Sequence, residues 1–258
     1  GGLAALTKPP TFATVEAERA WLKERLVAAI RIFANEGFDH TVAGHLTVRD
    51  PENKHHFWVN PFGLAFRLMT VSDLILVNQE GTVIGGGKEG RRIVNLAGFM
   101  IHSAIHKARP EVQAICHSHS TYGKAFSSLG KPLAITTQDS CAFYGDVALL
   151  GDFGGVVIEE KESGTIAVAL QQKKAIILQN HGLLTVGTTI DSAVAWFIML
   201  EKQCQVQLLA DAAGQTIPID EPQAAFTFKE LGHEQAGYFQ ASPYFQVIEH
   251  LQGEEYRK

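Results

Sequence analysis

Apolar residues first recur at helical spacing in Leu22, Leu26, Ile30 and Phe33. Thr14 starts this predicted helix, and Glu16 and Glu18 fall in its first turn, where the helix dipole favours acids. Gly37 is its C-terminal stop. Leu74-Ile75-Leu76-Val77 and Thr82-Val83-Ile84 flank Asn78-Gln79-Glu80-Gly81, which predicts a β-hairpin. Asn95 caps a helix running to about Arg109, and Pro110 ends it. Val112 to Cys116 reads as a strand, and Ala175 to Leu178 as a short strand buried on both faces. The longest periodic run is Ile190, Val194, Phe197, Leu200, Cys204 and Leu208, a stripe of core or subunit-contact character. Thr188 and Asp191 before it have capping-box spacing, and Gly214 follows its end. A further helix is expected over Gln223 to Gly237. Strands and helices alternate irregularly, without a repeat or linker. The pattern predicts one α/β domain over residues 14–258, with a mixed or mainly antiparallel sheet and a C-terminal helical extension. Residues 1–13 read as an N-terminal arm closed by Pro9-Pro10.

Composition narrows the partners. The chain has 258 residues, 46% of them hydrophobic, enough for a substantial core. Charged residues make up 19% and the net charge is -5, with no basic stripe for nucleic acid and no polybasic segment for an anionic membrane. No run of roughly 18 apolar residues predicts a membrane-spanning helix. The first residues lack the basic start and apolar core of a signal peptide. Cys116, Cys141 and Cys204 are scattered among apolar neighbours, so they read as buried packing in a reducing, cytoplasmic compartment.

The candidate chemistry lies in Cys116-His117-Ser118-His119. Side chains alternate along a strand, so His117 and His119 point the same way and can reach one ion. Asn180-His181-Gly182 is the natural source of a third ligand, because it follows a buried strand and Gly182 permits a sharp turn. Three neutral imidazoles with an open position make a catalytic-type zinc centre. On spacing alone His-x-His is a weak signal and Asn-His-Gly is equally an ordinary turn. The surrounding sequence gives both their weight.

From about Ala20 to Ala210 the chain resembles the class II aldolase/adducin family. The matching pieces, in family order, are Gly44-His45-Leu46-Thr47-Val48-Arg49, Asn60-Pro61-Phe62-Gly63, Ala97-Gly98-Phe99-Met100-Ile101-His102, Ala108-Arg109-Pro110, His117-Ser118-His119, Tyr144-Gly145-Asp146-Val147 and Gln179-Asn180-His181-Gly182. The resemblance implies a three-layer α/β/α sandwich around a mainly antiparallel sheet, and a homotetramer with active sites at subunit interfaces. It also implies a divalent metal on His117, His119 and His181, with zinc first and Fe(II) or Mn as alternatives. In the family's aldolases that metal polarises a small hydroxy-carbonyl substrate, and a carboxylate moves the proton.

The chain departs from that pattern in places that bear on chemistry. The family's acid lies four residues before the position of His102, where this sequence has Gly98. Phosphate-gripping positions hold Phe62-Gly63, Leu96-Ala97 and Gly44-His45, and Phe62, Leu96 and Ala97 supply no side-chain donor. The sequence therefore predicts a metal-dependent lyase-type enzyme for a non-phosphorylated hydroxy- or oxo-acid, with His45, Phe62, Gly63 and Gly98 lining the substrate pocket. Asp139 and Tyr144 are candidate catalytic groups, Asp139 as the substitute acid, with Gln138 beside them. Tyr238 and Tyr244 are candidates to reach a neighbouring subunit. His102 reads as a hydrogen-bonded packing residue and His55-His56 as a solvated loop. Gly85 to Gly90 lacks Walker spacing and reads as a loop. Two other readings stay open. One is a non-haem iron oxygenase, resembling the oxidative decarboxylases of aminocoumarin biosynthesis. The other is a non-catalytic adducin-like interaction domain, which absence of bound metal would favour.

Overall fold

The computed structural model describes residues 8–151 and 160–258; residues 1–7 of the expected N-terminal arm lie outside them. Helix α1 spans Val15–Asn35, capped by the Thr14 hydroxyl, which accepts from the Ala17 amide. Its apolar stripe is buried, and Gly37 takes a left-handed φ of 77° where the chain leaves it. Four strands follow: β1 (His45–Arg49), β2 (His56–Val59), β3 (Ile75–Asn78) and β4 (Val83–Gly86). The β3–β4 pair is the expected hairpin. His56 heads β2 instead of lying in a solvated loop, because its backbone pairs with Asn78 of β3. Helix α2 (Leu96–Ala108) starts on Asn95, whose side chain accepts from the Gly98 amide. Then come β5 (Ala114–Ser118), α3 (Thr121–Ser127), β6 (Val147–Leu150), α4 (Glu160–Leu170), β7 (Ala175–Leu178) and β8 (Gly182–Gly187).

The eight strands form one sheet in the order β4-β3-β2-β1-β5-β8-β7-β6. Every pairing is antiparallel except β6 with β7. Helices cover both faces, giving the three-layer α/β/α sandwich. Alternation along the strands assigns the faces. Leu46, Val48, Ala114 and Cys116 pack with α1 and with α5 (Ile190–Ala213). Ile115, Ile176, Leu184 and Val186 pack with Ile101 and Ile105 of α2 and Ile166 of α4. His45, Thr47 and His117 share the parity of this second face, which turns them towards α2.

Two boundaries differ from the sequence reading. Thr189, not Thr188, caps α5, in a reciprocal capping box with Ser192, because Thr188 instead bonds Glu234. The helix expected over Gln223 to Gly237 is two helices, α6 (Glu221–Leu231) and α7 (Glu234–Tyr256). Gly232 ends the first, and His233 caps the second through Nδ1. The α5 stripe is buried within the chain, where α7 packs against it. No helix among the described residues is long and apolar enough to cross a membrane.

Candidate metal centre

Strand β5 lies in the middle of the sheet and delivers His117 near its end and His119 just beyond it. His181 arrives from the turn between β7 and β8. Asn180 there has a left-handed φ of 58°, and the His181 amide bonds the Leu178 carbonyl at 3.0 Å. A Cβ on Gly182, with φ 155°, would stand 3.0 Å from the Ser118 carbonyl oxygen, so this turn meets the end of β5 closely only with glycine. The three imidazoles converge, with ring centroids 4.8 Å to 5.2 Å apart. One ligand atom from each lies within 4.8 Å of the others. His117 Nδ1 donates to the Leu183 carbonyl at 2.8 Å, which fixes the tautomer and leaves Nε2 as the free lone pair.

Electrostatics suit the donor set. Burial, followed by His181, His45 and His119, holds His117 well below the ordinary imidazole value. Burial, then Lys124 and His40, lowers His119. Burial, then His119, pushes His181 down to about 4. Near neutral pH the trio is therefore uncharged, the form that ligates a divalent ion. Zinc takes such all-nitrogen sets readily, so these residues fit the expected metal.

A cavity of about 400 Å³ opens over the histidines. His45, Phe62 and Gly98 line it as the sequence suggested, together with Val42, Ala97 and Ile101. Gly63 adjoins Phe62 outside the lining, and Leu96 is exposed. Asp139 begins a short 3-10 turn at Asp139–Phe143 and Tyr144 ends it; neither borders this cavity, whose lining contains no carboxylate. Tyr238 is buried in α7. Sequence reasoning did not name Lys124, and read Asn95 only as a cap and Asn180 only as part of a turn; all three supply the cavity's other polar side chains. Lys124 was detectable in principle, since a helix beginning two residues after His119 brings its first turns back over the strand that carries His117.

Buried polar contacts support the centre from two sides. Glu201 of α5 accepts from the Ser120 hydroxyl at 2.5 Å and from the amides of Tyr122 and Gly123 at 2.8 Å and 2.7 Å. It thereby satisfies the free amides at the start of α3 and fixes His119 and Lys124 relative to the sheet. Behind the cavity, Thr47 Oγ1 lies 2.8 Å from His102 Nδ1 and 3.1 Å from His106 Nε2. His102 is thus the hydrogen-bonded packing residue its helix position suggested. Burial, then neighbouring imidazoles, holds His102 low; burial, then Arg49, holds His106 low.

Comparison with known proteins gives the family and supports the fold. A family model described as class II aldolase and adducin N-terminal domain matches residues 24–208. A 4-hydroxy-3-prenylphenylpyruvate oxygenase/4-hydroxy-3-prenylbenzoate synthase of Streptomyces roseochromogenus subsp. oscitans is 44% identical, over 91% of this chain and 84% of that protein. Decarboxylase NovR of Streptomyces niveus is also 44% identical, over 92% of this chain and 87% of its own length. Among solved structures, one named L-fuculose 1-phosphate aldolase, from Glaciozyma antarctica PI12, is 96% identical, covers 100% of both chains and superposes with a TM-score of 0.95.

Proposed function

The chain belongs to the class II aldolase and adducin family, and from that premise we propose that it is a metal-dependent lyase-type enzyme for a small hydroxy- or oxo-acid without a phosphate group. One observation carries the reading: the three-histidine centre opens into a largely apolar cavity that holds a cation, Lys124, and no carboxylate. His117, His119 and His181 would hold the ion, zinc first. Bound there, it would supply Lewis-acid polarisation of the substrate's carbonyl and stabilise the charge left by C–C cleavage or decarboxylation. Lys124 pairs with the substrate carboxylate, and the amides of Asn95 and Asn180 orient its remaining oxygens. Phe62, Val42 and Ile101 exclude water and favour an apolar or aromatic substituent. The proposed assembly is a homotetramer, in the reducing setting that three buried, unpaired cysteines suit.

A second reading has its own support. The name of the 96% identical protein favours L-fuculose 1-phosphate as substrate, and Lys124 would suit a phosphate as well as a carboxylate. The loss of donors at Phe62 and Ala97, and of any acid at Gly98, argues for the acid substrate. The name of one Streptomyces relative supports decarboxylation, and that of the other supports oxygenation of an aromatic 2-oxo acid. The deciding assay sets metal-reconstituted protein against fuculose 1-phosphate, rhamnulose 1-phosphate and ribulose 5-phosphate. A parallel series holds aryl-substituted 2-oxo and 2-hydroxy acids, with oxygen uptake recorded. Turnover of an acid without oxygen uptake is expected. Stoichiometric uptake would move the assignment to an oxidative decarboxylase, and efficient cleavage of a sugar phosphate would overturn the acid reading.

A further inference from the structure

His45 is the first residue of β1 and sits opposite His117 in the sheet. Its side chain is buried, with its ring centroid 4.5 Å from that of His102 and 5.1 Å from that of His117. A neutral imidazole carries one N–H donor and one acceptor. Neither ring nitrogen of His45 makes a hydrogen bond of good geometry, although the Gly98 backbone interacts with the ring, and Nε2 of His102 has no partner either. His45 nevertheless borders the cavity that contains the three metal-type histidines. Unpartnered polar atoms in a buried position are costly unless a ligand meets them.

Gly98, on the first turn of α2, explains how the ring fits. A Cβ built there would lie 2.1 Å from His45 Cε1, 2.6 Å from Nε2 and 2.8 Å from Nδ1. The obstacle is a planar ring held between two other imidazoles, which leaves little room to step aside. Even alanine at position 98 would collide with it.

We infer that His45 is the hydrogen-bonding group presented to the substrate beside the metal centre, and that Gly98 is its steric counterpart. The pair acts as one specificity element: while His45 keeps this position, no side chain fits at 98, and an acid there requires the histidine to leave. The substrate oxygen that His45 meets belongs to the same small acid proposed above, so this half of the inference rests on that reading. The steric half does not.

The steric half is tested by melting. Gly98→Ala is expected to lower the melting temperature by about 5 °C, the scale of a core overpacking change in a domain of this size. His45→Ala combined with Gly98→Ala should recover most of that loss. Additive effects, or a silent Gly98→Ala, overturn the interlock. The recognition half is tested by titrating the metal-loaded protein with mandelate and, separately, with inorganic phosphate. His45→Ala is expected to weaken mandelate binding about tenfold, the scale of one buried hydrogen bond, with metal content unchanged. His45→Gln, which keeps an N–H, should restore part of it. Unaltered mandelate affinity in His45→Ala overturns the donor role, and loss of metal from that variant shows His45 to be a ligand instead. Wild-type protein that binds neither probe overturns the acid-binding reading and the donor role with it, and leaves the interlock to be judged by melting alone.

Discussion

At the scale of single residues, the centre depends on imidazoles kept neutral by burial, and this has a direction in pH. His181 titrates near 4 in the folded chain against 6.5 ordinarily, so between those values the unfolded chain binds the extra proton. Stability from this group is fully present above about pH 6.5 and is lost as pH falls towards 4. His102 and His106 act in the same direction. Urea midpoints of the metal-free protein should therefore rise from pH 4 to about 6.5 and then level off. A midpoint independent of pH in that window would contradict the burial argument. His117→Ala, His119→Ala and His181→Ala should each strip metal, read by mass spectrometry on folded protein, while Cys116→Ser should not. Cys116 is buried on the opposite face of β5, beyond reach of the centre. The convergence of His117 and His119 was legible because strand alternation puts both on one face. The role of Asp139 was not, because nothing local in the sequence indicates which face of a loop meets the cavity.

At the scale of elements, the capped helices α1, α2 and α5 and the strands β3, β4, β5 and β7 were read from sequence, whereas α3, α4, β1, β2, β6 and β8 were not. Thr14, Asn95 and Gly37 carry local capping chemistry that works wherever the helix lies. Strand β1 alternates polar and apolar residues, His45-Leu46-Thr47-Val48-Arg49, yet both its faces are buried: Thr47 and Arg49 face α2 and find partners in His102 and His106. The α6–α7 break was missed because the stop is a short Gly232-His233 junction with no loop. Two variants probe element ends. Thr189→Ala should cost about 1 kcal/mol in chemical denaturation by removing the α5 cap. Glu201→Ala should cost about 3 kcal/mol, since it leaves a buried hydroxyl and two amides without their charged acceptor. Glu201→Ala should also weaken metal affinity without touching a ligand, because only Ser120 separates His119 from α3. An unchanged metal affinity would show that β5 alone positions that histidine.

At the scale of the whole molecule, the three-layer sandwich was legible only through the family resemblance, because irregular alternation by itself fits several mixed sheets. The resemblance also supports a tetramer. The α5 stripe no longer argues for one, since α7 covers it within the chain. Leu209, Phe239, Val247 and Leu251 do remain exposed on α5 and α7. Light scattering at micromolar concentration should give four times the chain mass; a clean monomer would remove the assembly proposal.

His119 and His181 bracket a stretch of about 60 residues, and an ion gripped by both would tie its ends together. The unfolded chain holds these donors far apart, so such an ion stabilises only the finished sheet, by about 2.7 kcal/mol at a hundredfold excess over its dissociation constant. Chelation should then do more than silence the enzyme. It should lower the melting temperature and open the stretch between the two histidines to protease, so that scarcity of metal shortens the survival of the folded protein itself.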